Sequence, residues 1–168
     1  MNTVYLSLGS NLGDRAENIA RAIALLNERG VRVTRQSSLY ETEPIDVQDG
    51  GWFLNGAIEA ETDLAPAELM KLLLAIERAL GRERTARSAA GLKESRTIDL
   101  DILLYGSRVV READIQIPHP RMAERKFVLA PLAEIAPGVR HPELKRTIAE
   151  LLEATVDKSV VRRLAATE

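Results

Sequence analysis

The chain has no cysteine, which excludes disulfides and any thiolate metal site. No apolar run approaches the length of a membrane span, and no charged-then-apolar leader opens the sequence. The default expectation is therefore a cytoplasmic protein with no membrane partner. Nor is there a surplus of positive charge: the formal net charge is -2 at pH 7, which argues against a general nucleic-acid binder. Internal repeats, linkers and low-complexity stretches are missing. So are the two common phosphate-binding glycine motifs. GSNLG (9–13) lacks the Gly-Lys-Ser/Thr of a P-loop and is not G-x-G-x-x-G, so it reads as a tight strand-to-helix turn.

What is present is a chain of 168 residues, 45% hydrophobic and 29% charged, long enough for one globular domain spanning 1–168 with a real core. Its basic residues are mostly arginine, the side chain suited to gripping phosphate oxygens in a bidentate fork.

TVYLSL (3–8) alternates apolar and polar residues and reads as a strand. Asp14 and Glu17 predict a capping box for a helix whose apolar positions Ile19, Ala22, Ile23 and Leu26 run until Gly30. VRVTRQSSLYET (31–42) reads as one longer strand and WFLNGAIEAE (52–61) as a third. Pro66 opens a second helix with an apolar stripe of Leu69, Leu72, Leu73, Ile76 and Leu80, and Gly81 follows its end. A basic stretch (82–95) precedes a fourth strand (97–104). The order β-α-β-β-α-β predicts an α+β fold with a ferredoxin-like core, its helices packed on one face of the sheet. Tyr105-Gly106-Ser107 reads as the turn of an added hairpin into 109–110, with a further strand at 114–117. C-terminal helices are expected at 128–135 and 147–154, the second capped by Thr147 and Glu150, and an edge strand at 158–164.

The fourth strand, RTIDLDILLYG (96–106), carries the chemistry. Period-two alternation points Ile98, Leu100 and Ile102 into the core and puts Asp99 and Asp101 together on the other face. Two like charges there repel unless something positive lies between them. A lone D-x-D is ordinarily a solvated pair. Here the apolar flanks and nearby arginines favour Mg²⁺, which takes one or two carboxylates and completes its shell with water and phosphate oxygens. Arg82, Arg84, Arg87, Lys93 and Arg96, with Ser88, Ala89, Ala90 and Gly91 among them, read either as a solvated loop or as a mobile lid that closes over polyphosphate. Phe53 and Asn55 share a strand face; the pair reads either as a core Phe beside a turn-capping Asn or as an aromatic plate beside an amide, which is how a flat heterocycle is held. Trp52 faces the other way and is expected in the core. His119, between Pro118 and Pro120, sits in a rigid extended loop, and His141 reads as structural.

These pieces resemble a known family. GSNLGD (9–14), YETEP (40–44), FLN (53–55), IE (76–77), GRxR (81–84), RTIDLDILLYG, IPHPRM (117–122) and ERKFVLAPLAEIAP (124–137) occur in the order found in the 6-hydroxymethyl-7,8-dihydropterin pyrophosphokinases of folate biosynthesis. The resemblance implies transfer of the terminal pyrophosphoryl group of ATP to a pterin alcohol, releasing AMP, by a monomer. It implies that Asp99 and Asp101 bind two Mg²⁺ ions and act in catalysis with Arg82 and Arg96. ATP would be held by Glu77, Arg84, Arg96, Ile102, His119 and Arg125. The pterin would lie between Phe53 and Phe127 and contact Thr42, Glu43, Pro44, Ile45, Asn55 and Asp99. The chain departs from the family in SAAGLKES (88–95), which lacks the usual aromatic and Gly-Pro, and in having Asp114 near the place of a family arginine. The alternative is a non-catalytic ferredoxin-like nucleotide- or RNA-binding module. It would need aromatics on the central strands, where Asp99 and Asp101 stand.

Overall fold

A computed structural model describes residues 1–43, 51–81 and 97–164. Strand β1 (Asn2–Ser10) is followed by helix α1 (Arg15–Glu28), strands β2 (Val31–Gln36), β3 (Tyr40–Thr42) and β4 (Phe53–Thr62), helix α2 (Pro66–Ala79) and strand β5 (Asp99–Tyr105). Beyond these come β6 (Val110–Arg111), β7 (Gln116–Ile117), a 3₁₀ turn (Met122–Glu124), helices α3 (Lys126–Ile135) and α4 (Ile148–Ala154), and strand β8 (Val161–Arg163).

The caps follow the sequence closely. Asp14 accepts the Glu17 N–H and starts α1, and Gly30 adopts the left-handed conformation beyond the helix end. Pro66 begins α2, where the Glu68 carboxylate accepts the Ala65 N–H. Thr147 and Glu150 cap each other reciprocally at α4.

The main sheet runs β5-β1-β4-β3-β8, with β2 also on β4, and every pairing in it is antiparallel. On one face α1 and α2 cover Val4, Leu6, Leu8, Leu54, Ile58, Leu100 and Ile102 with Ile19, Leu26, Leu69, Leu73 and Ile76. On the other, α3 and α4 bring Leu129, Leu132, Ile148 and Leu151 against Tyr5, Ala57, Leu103 and Leu104. The two helices of the β-α-β-β-α-β run therefore share one face as expected, and α3 and α4 add a helical layer on the other.

Three expectations are corrected. The single strand over 31–42 is two strands. Between Gln36 opposite Ile58 and Tyr40 opposite Asn55, three residues face two on β4. The Ser37 hydroxyl takes the Ala57 N–H, and the Ser37 N–H donates to the Ala57 carbonyl, so the break leaves these β4 groups paired. The turn at 105–107 does not pair β5 with 109–110; the hairpin is β6 with β7, in a sheet of its own. Trp52 is half-buried rather than core, with the Arg162 guanidinium 5.1 Å from its ring centroid.

Candidate active site

Directly opposed residues on neighbouring strands share a face, so the register maps the site. Asp99 pairs with Gly9, Gly9 with Asn55, and Asn55 with Tyr40. The row beside it runs Asp101, Ser7, Ala57, and Phe53 opposite Thr42 lies beyond Asn55. Both aspartates are half-buried while Leu100 and Ile102 between and after them are buried. The period-two expectation for 98–102 thus holds. Strands lie about 4.8 Å apart, which puts Asn55 two strands and roughly 10 Å from Asp99.

Gly9 is there because nothing larger fits. A Cβ at this position would stand 2.6 Å from Asn55 Oδ1. Asn55 cannot retreat, since it is buried and its Nδ2 donates to Thr42 Oγ1 at 2.7 Å. Close backbone approach is a recurrent reason for glycine inside a strand.

Opposite the aspartates stand His119 and Arg125. A bulge in β5 puts Tyr5 opposite Leu104 but Leu6 opposite Ile102, leaving Leu103 extra. The Leu103 carbonyl accepts the His119 N–H at 3.1 Å, which docks the Pro-His-Pro segment onto the aspartate strand. Burial, with Arg125 and Arg121, pushes the His119 imidazole below its ordinary range, against the pull of Asp99. The ring is neutral near pH 7. Its Nδ1 accepts the Arg121 N–H, so the ring proton sits on Nε2, as a donor. The Arg125 guanidinium feels both Asp101 and Asp99 and lies 5.7 Å from the Phe127 ring centroid. Phe127, in the first turn of α3, packs against the apolar cluster on the same sheet face as Phe53.

The structure thus brings together Asp99, Asp101, His119 and Arg125. It sets Phe53, Asn55 and Thr42 beside them, with Phe127 on the helix above. Glu43 continues the β3 edge, exchanging hydrogen bonds with Val160. Two residues expected on the nucleotide side lie elsewhere. Glu77 is buried under the other face and accepts the Leu100 N–H between the two aspartates. Ile102 is in the core beneath α1 and α2. Pro44, Ile45, Arg82, Arg84 and Arg96, and the lid expected over 82–95, lie outside the described residues. His141 is structural as expected: it is buried and its Nδ1 accepts the Glu143 and Leu144 N–H groups.

Sequence reasoning missed Ser7 and Gly9 as floor of the site, although their alternation with Leu6 and Leu8 carried the signal. It also missed Glu41, which bridges Arg15 and Arg162 at 2.9 and 2.8 Å. No local pattern marks an ion pair between residues so far apart in the chain. The carboxylate pair fits Mg²⁺, a hard cation needing one or two carboxylates; among the described residues no group of three or more His, Cys, Asp or Glu gathers.

Comparison with known proteins gives a consistent answer. The chain is 47% identical over 150 residues to the 2-amino-4-hydroxy-6-hydroxymethyldihydropteridine pyrophosphokinase of Bacillus subtilis (strain 168), covering 89% of this chain and 85% of that protein. It is 40% identical to a folic acid synthesis protein of Pneumocystis carinii and 46% identical to a folate synthesis bifunctional protein of Arabidopsis thaliana. These matches cover 94% and 79% of this chain but only 20% and 26% of those longer proteins. In fold, it superposes on a crystal structure of an HPPK-DHPS protein in complex with substrates with a TM-score of 0.71 at 14% identity, covering 91% of this chain and 43% of the other. The alternative of a non-catalytic nucleotide- or RNA-binding module finds no support in these relatives. Residues 5–137 match one family, and this chain belongs to it: the 7,8-dihydro-6-hydroxymethylpterin-pyrophosphokinase (HPPK) family.

Proposed function

We propose that the polar half of the α3-facing sheet surface is where ATP and 6-hydroxymethyl-7,8-dihydropterin meet. There the hydroxymethyl oxygen attacks the β-phosphorus of ATP. The bond from that phosphorus to the oxygen bridging the α-phosphorus breaks, AMP departs with that oxygen, and the hydroxyl proton is released. The products are the pterin diphosphate and AMP. In such transfers the protein contributes positioning and charge compensation more than covalent chemistry.

Asp99 and Asp101 would hold two Mg²⁺ ions, which when bound neutralise the polyphosphate charge. The neutral His119, with its proton on Nε2, and the cationic Arg125 offer hydrogen bonds to phosphate oxygens. Arg82, Arg84 and Arg96 add charge to the same phosphates, while Glu77 and Ile102, buried beneath the other face, support the aspartate strand from behind. Phe53 and Phe127 stack on the pterin, while Asn55, Thr42, Glu43, Pro44 and Ile45 read its edge. Asp99 serves both substrates. The strand order β5-β1-β4, with β2 beyond β4, supports a ferredoxin-like core within a single domain. The setting we infer is a cytoplasmic monomer.

One observation carries this reading: Asp99 and Asp101 share a half-buried face in rows with Ser7, Gly9 and Asn55. The test is the nucleotide product formed with ATP, Mg²⁺ and the pterin alcohol. AMP in equal amount to pterin diphosphate is expected. ADP would mean ordinary phosphoryl transfer and would overturn it.

A further inference from the structure

Residues 155–164 add little to either core. Val156 is 89% and Val160 46% exposed, and only Leu164 packs against a buried cluster. What holds this segment is polar. Asp157 Oδ2 accepts the Lys126 N–H at 2.9 Å, at a helix start where Arg125 supplies no side-chain cap. Asp157 thus acts as the missing cap of α3, from outside the helix. Its other oxygen accepts both the N–H and the hydroxyl of Ser159, which fixes the carboxylate.

Three residues on, the segment grips the opposite side of the site. Val160 exchanges hydrogen bonds with Glu43, and β8 then pairs with β3, Val161 opposite Thr42. Arg162 binds Glu41 and stacks on Trp52, while Arg15 ties Glu41 to the Trp52 carbonyl at 2.8 Å. Arg163 reaches Glu134 on α3 at 3.7 Å. One short segment therefore joins the residue before Phe127 to the residues flanking Phe53.

We propose that residues 155–164 are a strap that sets the spacing of the Phe53-bearing and Phe127-bearing elements, with Asp157 and Arg162 as positioning residues for the pterin. The proposal rests on the reading that these two rings hold the pterin. Its polar anchors fall on the elements that carry the two rings, Lys126 at the start of α3 and Thr42, Glu41 and Trp52 beside Phe53.

The test uses the full chain with Asp157→Ala, Asp157→Asn and Arg162→Ala. KM for pterin and for ATP are measured separately, with equilibrium titrations of the pterin and of a non-hydrolysable ATP analogue. Asp157→Ala and Arg162→Ala should each raise the pterin KM and Kd by about three- to tenfold, the scale of one lost cap or anchor. ATP values should stay within twofold, and kcat at saturation near that of the unaltered chain. Asp157→Asn keeps an acceptor oxygen and should recover most of the affinity. Equal rises for both substrates, or a lower melting temperature with an unchanged pterin KM, would overturn the strap alone. Failure of the unaltered chain to bind the pterin would overturn the function beneath it as well.

Discussion

The sheet face turned toward α3 is divided across its middle. In one half Tyr5, Ala57, Leu103 and Leu104 lie under Leu129, Leu132 and Ile148. In the other, on the same strands and starting in the very row of Ala57, stand Ser7 and Asp101, then Gly9, Asn55 and Asp99. On the reverse face Val4, Leu6 and Leu8 of β1 are all buried, and the buried Glu77 carboxylate there is held by the Leu100 N–H. The helix covers what is apolar and stops where carboxylates begin, because desolvating an ion costs several kcal/mol. Stability and chemistry are thus separated along single strands rather than between domains, and the two halves should respond differently to substitution.

The largest contrast should come from Asp99→Ala and Asp101→Ala. Loss of a carboxylate that organises phosphate charge removes several kcal/mol of barrier lowering, with each ~1.4 kcal/mol a factor of ten in rate. Turnover should fall by at least a hundredfold at saturating Mg²⁺, about 2.7 kcal/mol, while the melting temperature holds or rises. Near-normal turnover in both variants would break the comparison. Leu132→Ala in the apolar half should do the reverse. A fully buried leucine truncated in a packed cluster costs about 2–5 kcal/mol of folding free energy, read by urea unfolding, with kcat kept well below the new melting point.

Gly9→Ala sharpens the boundary, because the position is a strand residue by geometry and a site residue by contact. The added methyl must displace Asn55 Oδ1, so pterin affinity should drop about tenfold or more, the scale of a misplaced hydrogen-bonding group. ATP-analogue affinity should change far less. Phe53→Ala should weaken pterin binding by roughly 1–3 kcal/mol, as for one lost stacking plate, in calorimetric titration of each ligand alone. Equal losses for both ligands would indicate a folding defect.

The smallest effect concerns acid. Burial works to raise the Glu134 carboxyl, but hydrogen bonds from the Tyr40 hydroxyl and the Ser38 N–H and hydroxyl, with Arg163, outweigh it and leave it below its ordinary value. Tyr40, buried and donating to Glu134, is pushed up to about 12 and stays a donor throughout. A depressed carboxyl contributes stability that is complete above its unfolded value near 4.5 and is lost as pH falls through the folded one. Glu134→Gln should therefore flatten the acid limb of stability against pH, followed by urea midpoints, and leave kcat near pH 7 unmoved.

How much of this was legible beforehand depends on the range of the forces involved. Alternation is local, so D-L-D-I declared which side Asp99 and Asp101 would take before any partner strand was known. Caps are local too, and Asp14, Pro66, Thr147 and Gly30 marked their helix ends. Trp52 misled because its alternation with Phe53 was read without Arg162, which arrives from over a hundred residues away. Asp157 on Lys126 and Glu134 on Ser38 escape a local pattern for the same reason, the partners lying 31 and 96 residues apart.

The residues alone determined most of the element order, the shared face of the two carboxylates and that of Phe53 and Asn55, since each follows from backbone periodicity and side-chain chemistry within a few positions. Only the tertiary structure decided that β5 bulges at Leu103, putting both Leu103 and Leu104 under α3 and docking His119 through the Leu103 carbonyl. It likewise decided that Gly9 must remain bare against Asn55, and that Asp157 starts the helix carrying Phe127. Those outcomes depend on register between strands and on contacts between distant segments. They exist only once a hydrophobic core has set the whole sheet in place, which no local pattern encodes.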